Sequence, residues 1–218
     1  MNAEDNRRQE RDRMVREQIE ARHVRDPRVL RIMREVPRHR FVPSELQSLA
    51  YSDHPLPIDR GQTISQPYIV ALMSELARVP AEGTALDVGT GSGYQAAILS
   101  RLCARVFSIE RIPELSATAA VALANAGCLN VELKVGDGWE GWPEQAPFDV
   151  IVVTAAPETV PEALLRQLKP HGRLVIPVGP AYDVQRLLVF YRRDDGRYER
   201  TDTIPVRFVP LVRNHPHR

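Results

Sequence analysis

The residues best suited to chemistry lie around a glycine-rich loop. Gly89-Thr90-Gly91-Ser92-Gly93 follows the apolar run Ala85-Leu86-Asp87-Val88 and precedes a helix expected from about Tyr94. A strand running through glycines into a helix lets a ligand approach the backbone without meeting a Cβ. The helix N-terminus adds free N–H groups and a partial positive charge. A carboxylate or another anion suits that position. The dinucleotide fingerprint needs a third glycine where this chain has Tyr94, so nicotinamide chemistry is disfavoured. Asp87, Glu110 and Asp137 each fall at the end of one of three successive strands, on the edge where the loop sits. At the second strand end, Glu110 is placed to accept both hydroxyls of a ribose, and Asp137, in Gly136-Asp137-Gly138, could accept from an adenine amino group. Plainer readings are a surface ion pair of Glu110 with Arg105 or Arg111, and a turn role for Asp137.

The elements that must hold these residues alternate. Strands are expected at Ala85–Val88, Arg105–Ile109, Val131–Val135, Phe148–Val153 and Arg173–Val178, with helices at Tyr94–Leu102, Pro113–Ala126 and Pro161–Leu168. That alternation implies right-handed βαβ units and a doubly wound parallel sheet. Gly179 to Gln185 is too short for a parallel crossover, so Leu187–Tyr191 should pair antiparallel. Arg193-Asp194-Asp195-Gly196 then turns into strands between Tyr198 and Val209. The fold class is therefore α/β, a Rossmann-like methyltransferase plan with antiparallel C-terminal strands and an N-terminal helical extension. Residues 1–80 form the extension and substrate-side segment, and residues 81–218 the core. The first ten residues read as frayed. Met14, Val15, Ile19 and Val24 share one side of a weakly amphipathic helix, Asp26-Pro27 starts a helix running through Val36, and another is expected from Pro67 to Leu76.

Composition excludes several classes. The 218 residues carry 29 basic and 28 acidic side chains, a net +1 that favours neither nucleic acid nor an anionic membrane. No apolar run reaches the roughly 18 residues that span a bilayer, and no secretory leader is visible, so a cytoplasmic protein is expected. Cys103 and Cys128 form no CxxC pair, and the six histidines lack ligand spacing, so no metal is expected. The arginines of the first 40 residues alternate with acids and read as a solvated face. Trp139 and Trp142 could lie near the adenine or serve ordinary packing. Ser65 could cap the helix starting near Pro67.

The segments Arg60-Gly61-Gln62-Thr63-Ile64-Ser65-Gln66-Pro67, Leu86 to Ala97, Gly136-Asp137-Gly138, Phe148-Asp149, Leu168 to Leu174 and Val206-Arg207-Phe208-Val209-Pro210-Leu211 resemble the protein-L-isoaspartate O-methyltransferase family. The likeness runs from about Met14 to Leu211. It implies transfer of a methyl group from S-adenosyl-L-methionine, leaving S-adenosyl-L-homocysteine, to the free carboxylate of isoaspartyl residues in damaged proteins. The ester then closes to a succinimide, which initiates repair. By this likeness Ser65 is the active-site serine, Gln62, Thr63 and Ile64 close over donor and substrate, and Asp87, Gly89, Gly91 and Ser92 hold the donor's methionine side. Glu110 holds the ribose, and Asp137 with Gly138 the adenine. Val206, Arg207 and Phe208 lie on the peptide's path. The family often has Glu at the position of Asp87, and the first ten residues have no dependable counterpart in it. Isoaspartyl proteins and peptides are the expected partners, without nucleic acid or membrane, and a monomer is expected.

Overall fold

Residues 3–213 are described, by a computed structural model. The chain opens with α1 (Ala3–Met14), a π turn at Val15–Ile19 and a 3-10 turn at Glu20–Arg22, ending at left-handed His23. This corrects the reading of the first ten residues as frayed for residues 3–10; residues 1 and 2 lie outside the described residues. Tertiary anchors, not an apolar stripe, order that helix. Arg7 donates to the carbonyl of Gln47 at 3.0 Å, and Arg11 to the carbonyl of Arg34 and, at 3.2 Å, to the Tyr51 hydroxyl. The expectation of a fully solvated arginine face also fails at two positions. Arg11 is buried, and Arg38 is fully buried with Nε on the Ala50 carbonyl at 2.7 Å and its guanidinium 5.1 Å from the Tyr94 ring centroid. Long aliphatic stems let these side chains run into the core, and an aromatic face receives the charge of Arg38.

Helix α2 (Pro27–Glu35) starts where the sequence placed it. Asp26 caps it, its carboxylate accepting from the Arg28 N–H at 2.8 Å, while Val29, Ile32 and Met33 are buried. A short hairpin follows, β1 (Leu56–Pro57) against β2 (Thr63–Ile64), and then α3 (Pro67–Ala77).

The main sheet contains β3 (Thr84–Val88), β4 (Arg105–Glu110), β5 (Val131–Val135), β6 (Phe148–Val153), β7 (Leu168–Val178), β8 (Gln185–Arg192) and β9 (Tyr198–Val206). Its order is β5-β4-β3-β6-β7-β8-β9. The five strands from β3 to β7 run parallel, and β8 and β9 return antiparallel, as the short connections require. Helices α4 (Tyr94–Leu102), α5 (Pro113–Asn125) and α6 (Glu162–Arg166) supply three of the crossovers, and that from β5 to β6 carries only a 3-10 turn at Pro143–Gln145; α6 is shorter than expected. Strand β7 begins five residues early. Leu168 pairs with Phe148 and Arg173 with Val150, so Lys169-Pro170-His171-Gly172 loops out within the strand.

The apolar runs of β3 and β6 are buried on both faces. Ala85, Val150 and Val152 pack with the N-terminal helices and α4, whereas Leu86, Val88, Ile151 and Val153 pack with Phe107, Trp142 and Leu174. Alternate residues of a strand point to opposite faces, so two-sided burial demands an unbroken apolar run. Asp149 ties the opposite, amino-terminal edge. Its Oδ2 accepts from the Thr84 N–H at 2.7 Å and from Lys169 Nζ at 2.7 Å, bonds that hold the carboxyl below its usual range although burial pushes the other way.

Candidate active site at the carboxyl edge of the sheet

The carboxyl ends of β3, β4 and β6 are laced by backbone bonds. Gly89 and Thr90 both donate to the Ile109 carbonyl, at 2.9 and 3.1 Å, Thr154 to Val88 at 2.9 Å and Gly136 to Glu110 at 2.9 Å. The glycine loop lies across this edge. Gly89 has φ +98°, and a Cβ there would stand 2.7 Å from Thr154 Oγ1, so no other residue fits without displacement. Tyr94, where a dinucleotide site would have glycine, is buried under the loop against Phe41, ring centroids 5.5 Å apart.

A cavity opens above the loop. Gln62, Thr63, Ile64 and Ser65 form one wall, Gly89, Gly91 and Ser92 the floor, Glu110, Arg111 and Ile112 the side, and Gly138 with Val209 to Val212 the far end. Residues expected from widely separated segments are thus brought together. Glu110 is buried, and its two carboxylate oxygens accept from the Gly91 N–H at 2.8 Å and the Ile112 N–H at 2.9 Å. The alternative pairing with Arg105 is not made, since Arg105 bonds Glu132 at 2.8 Å. Each carboxylate oxygen has a second lone pair, so Glu110 can hold the loop and still accept from a diol.

Asp87 and Asp137 do not line this cavity. Asp87 sits beneath the loop, fully buried, its Oδ2 accepting from Ser108 Oγ at 2.8 Å, and Ser108 bonds Thr90 Oγ1 at 2.6 Å. Its Oδ1 is buried without a partner. Burial, set against the Ser108 bond and reinforced by the negative charge of Glu110, pushes its pKa up to about 7. In this structure Asp87 reaches the loop through Ser108 and Thr90. Asp137 accepts from the Trp139 N–H at 2.9 Å in a turn that presents Gly138 to the cavity.

The Gln62–Ser65 wall is held from behind. β1 pairs with it, Ile58 donates to the Gln62 carbonyl at 2.9 Å, and Gln66 Nε2 donates to the backbone and side chain of Asp53 at 3.0 and 2.8 Å. The capping alternative for Ser65 is not realised: Gln66 is the N-cap of α3, and no side chain caps that helix. His54 lies exposed against the Pro55 carbonyl and lines neither this cavity nor the groove beside it.

That groove is lined by Thr63, Ser65, Gln66 and Ile69 on one side and by Tyr182 to Val184 and Pro205 to Val209 on the other. Val206, Arg207 and Phe208 are all in it. Gln185, buried, fixes the Phe208 backbone by accepting its N–H at 2.8 Å. Cavity and groove share Thr63, Ser65 and Val209. The sequence reading missed Arg111, Ile112, Thr154 and the reach of the C-terminal segment into the cavity. Only Arg111, beside the expected ribose acid, carried a signal.

A parallel sheet closed by antiparallel strands, with a glycine loop under a cavity ringed by Glu110 and Gly138, defines a Rossmann-like methyltransferase using S-adenosyl-L-methionine. The residues present fit that donor: Glu110 keeps lone pairs free for a ribose diol, and Gly89, Gly91 and Ser92 line the cavity just before the N-terminus of α4. The profile of the family "Protein-L-isoaspartate(D-aspartate) O-methyltransferase (PCMT)" matches residues 9–216. The chain belongs to that family. A protein-L-isoaspartate O-methyltransferase of Opitutus terrae is 52% identical over 207 residues, covering 95% of this chain and 88% of the relative. One of Gloeobacter violaceus is 51% identical, covering 93% and 98%. Among solved structures, a Plasmodium falciparum protein assigned as a beta-aspartate methyltransferase (PCMT), in complex with S-adenosyl-L-homocysteine, superposes with TM-score 0.82 at 26% identity, covering 94% of this chain and 99% of that one.

Proposed function

We propose that the cavity holds the methyl donor, the groove holds an isoaspartyl peptide, and Ser65 stands where the two meet. The protein transfers a methyl group from S-adenosyl-L-methionine to the free carboxylate of isoaspartyl residues in damaged proteins. The single observation carrying the residue assignment is that cavity and groove share Thr63, Ser65 and Val209.

The bound donor supplies a sulfonium-activated methyl group. The acceptor carboxylate, with an ordinary pKa of about 4, is already ionised at neutral pH and needs no general base. The chain's task is then positioning and exclusion of water, and positioning alone can account for roughly 7–11 kcal/mol of a barrier. Ser65 Oγ donates to one carboxylate oxygen and turns the other toward the methyl. Gln62, Thr63 and Ile64 cover the reacting centre. Gly89, Gly91 and Ser92 offer backbone and hydroxyl groups to the donor's carboxylate end, and Asp87 braces that loop from below through Ser108 and Thr90. Glu110 accepts the ribose hydroxyls, and Gly138, presented by the turn that Asp137 braces, forms the adenine end. Val206, Arg207 and Phe208 present the peptide. Binding by an open groove suits chains of many sequences and a monomeric enzyme acting in the cytoplasm. No helix among the described residues is long and apolar enough to cross a membrane.

The test uses labelled donor, an isoaspartyl peptide and its aspartyl counterpart. Base-labile label on the isoaspartyl peptide alone is expected; equal labelling of both, or of neither, refutes the reading. A hydrogen bond to a charged group is worth about 1.5–3 kcal/mol, so Ser65→Ala should lower kcat roughly ten- to hundredfold while the dissociation constant for S-adenosyl-L-homocysteine stays put. Unchanged turnover would remove Ser65 from the mechanism.

A further inference from the structure

We propose that Trp139 is a positioning residue that ties the C-terminal strap, residues 206–213, to the adenine end of the donor cavity and so sets the wall of the peptide groove. The inference rests on the proposed function above. Both tryptophans were candidates for packing near the adenine, and the structure separates them. Trp142 is a core residue, buried edge-on to Phe107 with centroids 5.4 Å apart. Trp139 is not spoken for by the core and lines neither cavity nor groove.

What Trp139 does touch is the strap. Its indole Nε1 donates to the Leu211 carbonyl at 3.0 Å, and the Arg213 guanidinium lies 4.0 Å from its ring centroid. Its own N–H is fixed on Asp137 Oδ1 at 2.9 Å, so the same turn places the indole and Gly138. Gly138 lies so close to Leu211 that an added Cβ would stand 3.2 Å from Leu211 Cδ1.

Side-chain packing holds the strap at Val206, Phe208 and Leu211, but its backbone has few bonds. Past Val206, the last residue of β9, Pro210 has no N–H to give, so the strap does not continue as a full strand. One bridge to Ala156 holds it, through the bonds Ala156 to Val209 at 2.8 Å and Leu211 to Ala156 at 2.9 Å, together with the Gln185 clamp at Phe208. Yet it lines the donor cavity with Val209 to Val212 and the groove with Val206 to Val209. Val209, which lines both sites, lies between the Phe208 clamp and the Leu211 carbonyl that Trp139 holds, so loosening that tie moves the segment carrying Val209. Trp139 thereby influences peptide binding without touching the peptide.

The test is Trp139→Phe in the full chain, which keeps a ring under Arg213 and removes the N–H donor. KM for an isoaspartyl peptide and for the donor should each rise about three- to tenfold, the equivalent of one hydrogen bond, with kcat within about twofold. A merely structural residue would lower kcat with the folded fraction and leave both KM values alone. Arg213→Ala should act in the same direction, and the double variant should show less than the combined effect of the two single changes. An unchanged peptide KM overturns the proposal. A rise in the donor KM alone overturns it too, because the tie would then not reach the groove. Amide hydrogen exchange gives a readout independent of turnover. Faster exchange over residues 206–212 in Trp139→Phe supports the tie, and unchanged exchange overturns it. A wild-type protein that bound donor but left the isoaspartyl peptide unmethylated would refute the functional reading, and the exchange result would still decide the role of Trp139.

Discussion

Replacing Asp87 by Asn should change how stability depends on pH. Asp87 is fully buried, with one oxygen bonded to Ser108 and the other unpartnered. Burial first, opposed by the Ser108 bond and helped by Glu110, raises its pKa from 3.8 to about 7. Between those two values the folded protein binds the proton and the unfolded chain does not, so stability falls as pH rises. The penalty is absent below the unfolded value, grows across the window and levels off above about pH 7, where it is on the order of 4 kcal/mol. Asn keeps an oxygen for Ser108 and cannot ionise. It leaves a buried N–H2 where Oδ1 was, a pH-independent cost of about 1–3 kcal/mol. Urea unfolding without donor, at pH 5 and at pH 8, isolates the titration. Wild type should lose on the order of 3 kcal/mol more than Asp87→Asn between those two conditions. Parallel curves for the two proteins would refute the reasoning, because they would mean that the carboxylate is already ionised at pH 5 or is solvated by the loop.

Three further outcomes follow from the geometry. Glu110→Gln sets an amide N–H2 against the Gly91 or Ile112 N–H, so donor affinity measured calorimetrically should fall about tenfold or more, with a stability loss of about 1.5–3 kcal/mol. Gly138→Ala places a Cβ 2.6 Å from Val88 Cγ1, and should cost about 1–3 kcal/mol in thermal unfolding and weaken S-adenosyl-L-homocysteine binding; a well-bound ligand in this variant would show that the turn yields freely. Arg11→Ala frees α1 from Arg34 and Tyr51, and should destabilise by about 1–3 kcal/mol while donor affinity stays constant, since no residue of α1 lines the cavity.

Much of the site was legible because its demands are local. A glycine loop between an apolar run and a helix, and an acid closing the next strand, announce a nucleoside site from spacing alone. The segments around Ser65 and Val206 identified the family. Burial and reach were hidden. Asp87 and Glu110 look alike in the sequence, yet one lies under the loop and the other beside the cavity, because the pairing of Asp87 with Ser108 across β3 and β4 is a matter of register. The polar opening residues gave no sign of order, because the partners of Arg7 and Arg11 lie tens of positions away.

The sequence by itself therefore determined the alternation of strands and helices, the antiparallel finish, the donor loop and the family, since each depends on neighbouring residues or on short connections. Only the tertiary structure decided that the Gln62–Ser65 wall and the Val206–Val212 strap close on the same loop, and that Trp139 joins the strap while Trp142 joins the core. Those contacts link positions far apart along the chain, and they exist only once the sheet's order and twist have brought its carboxyl edge together.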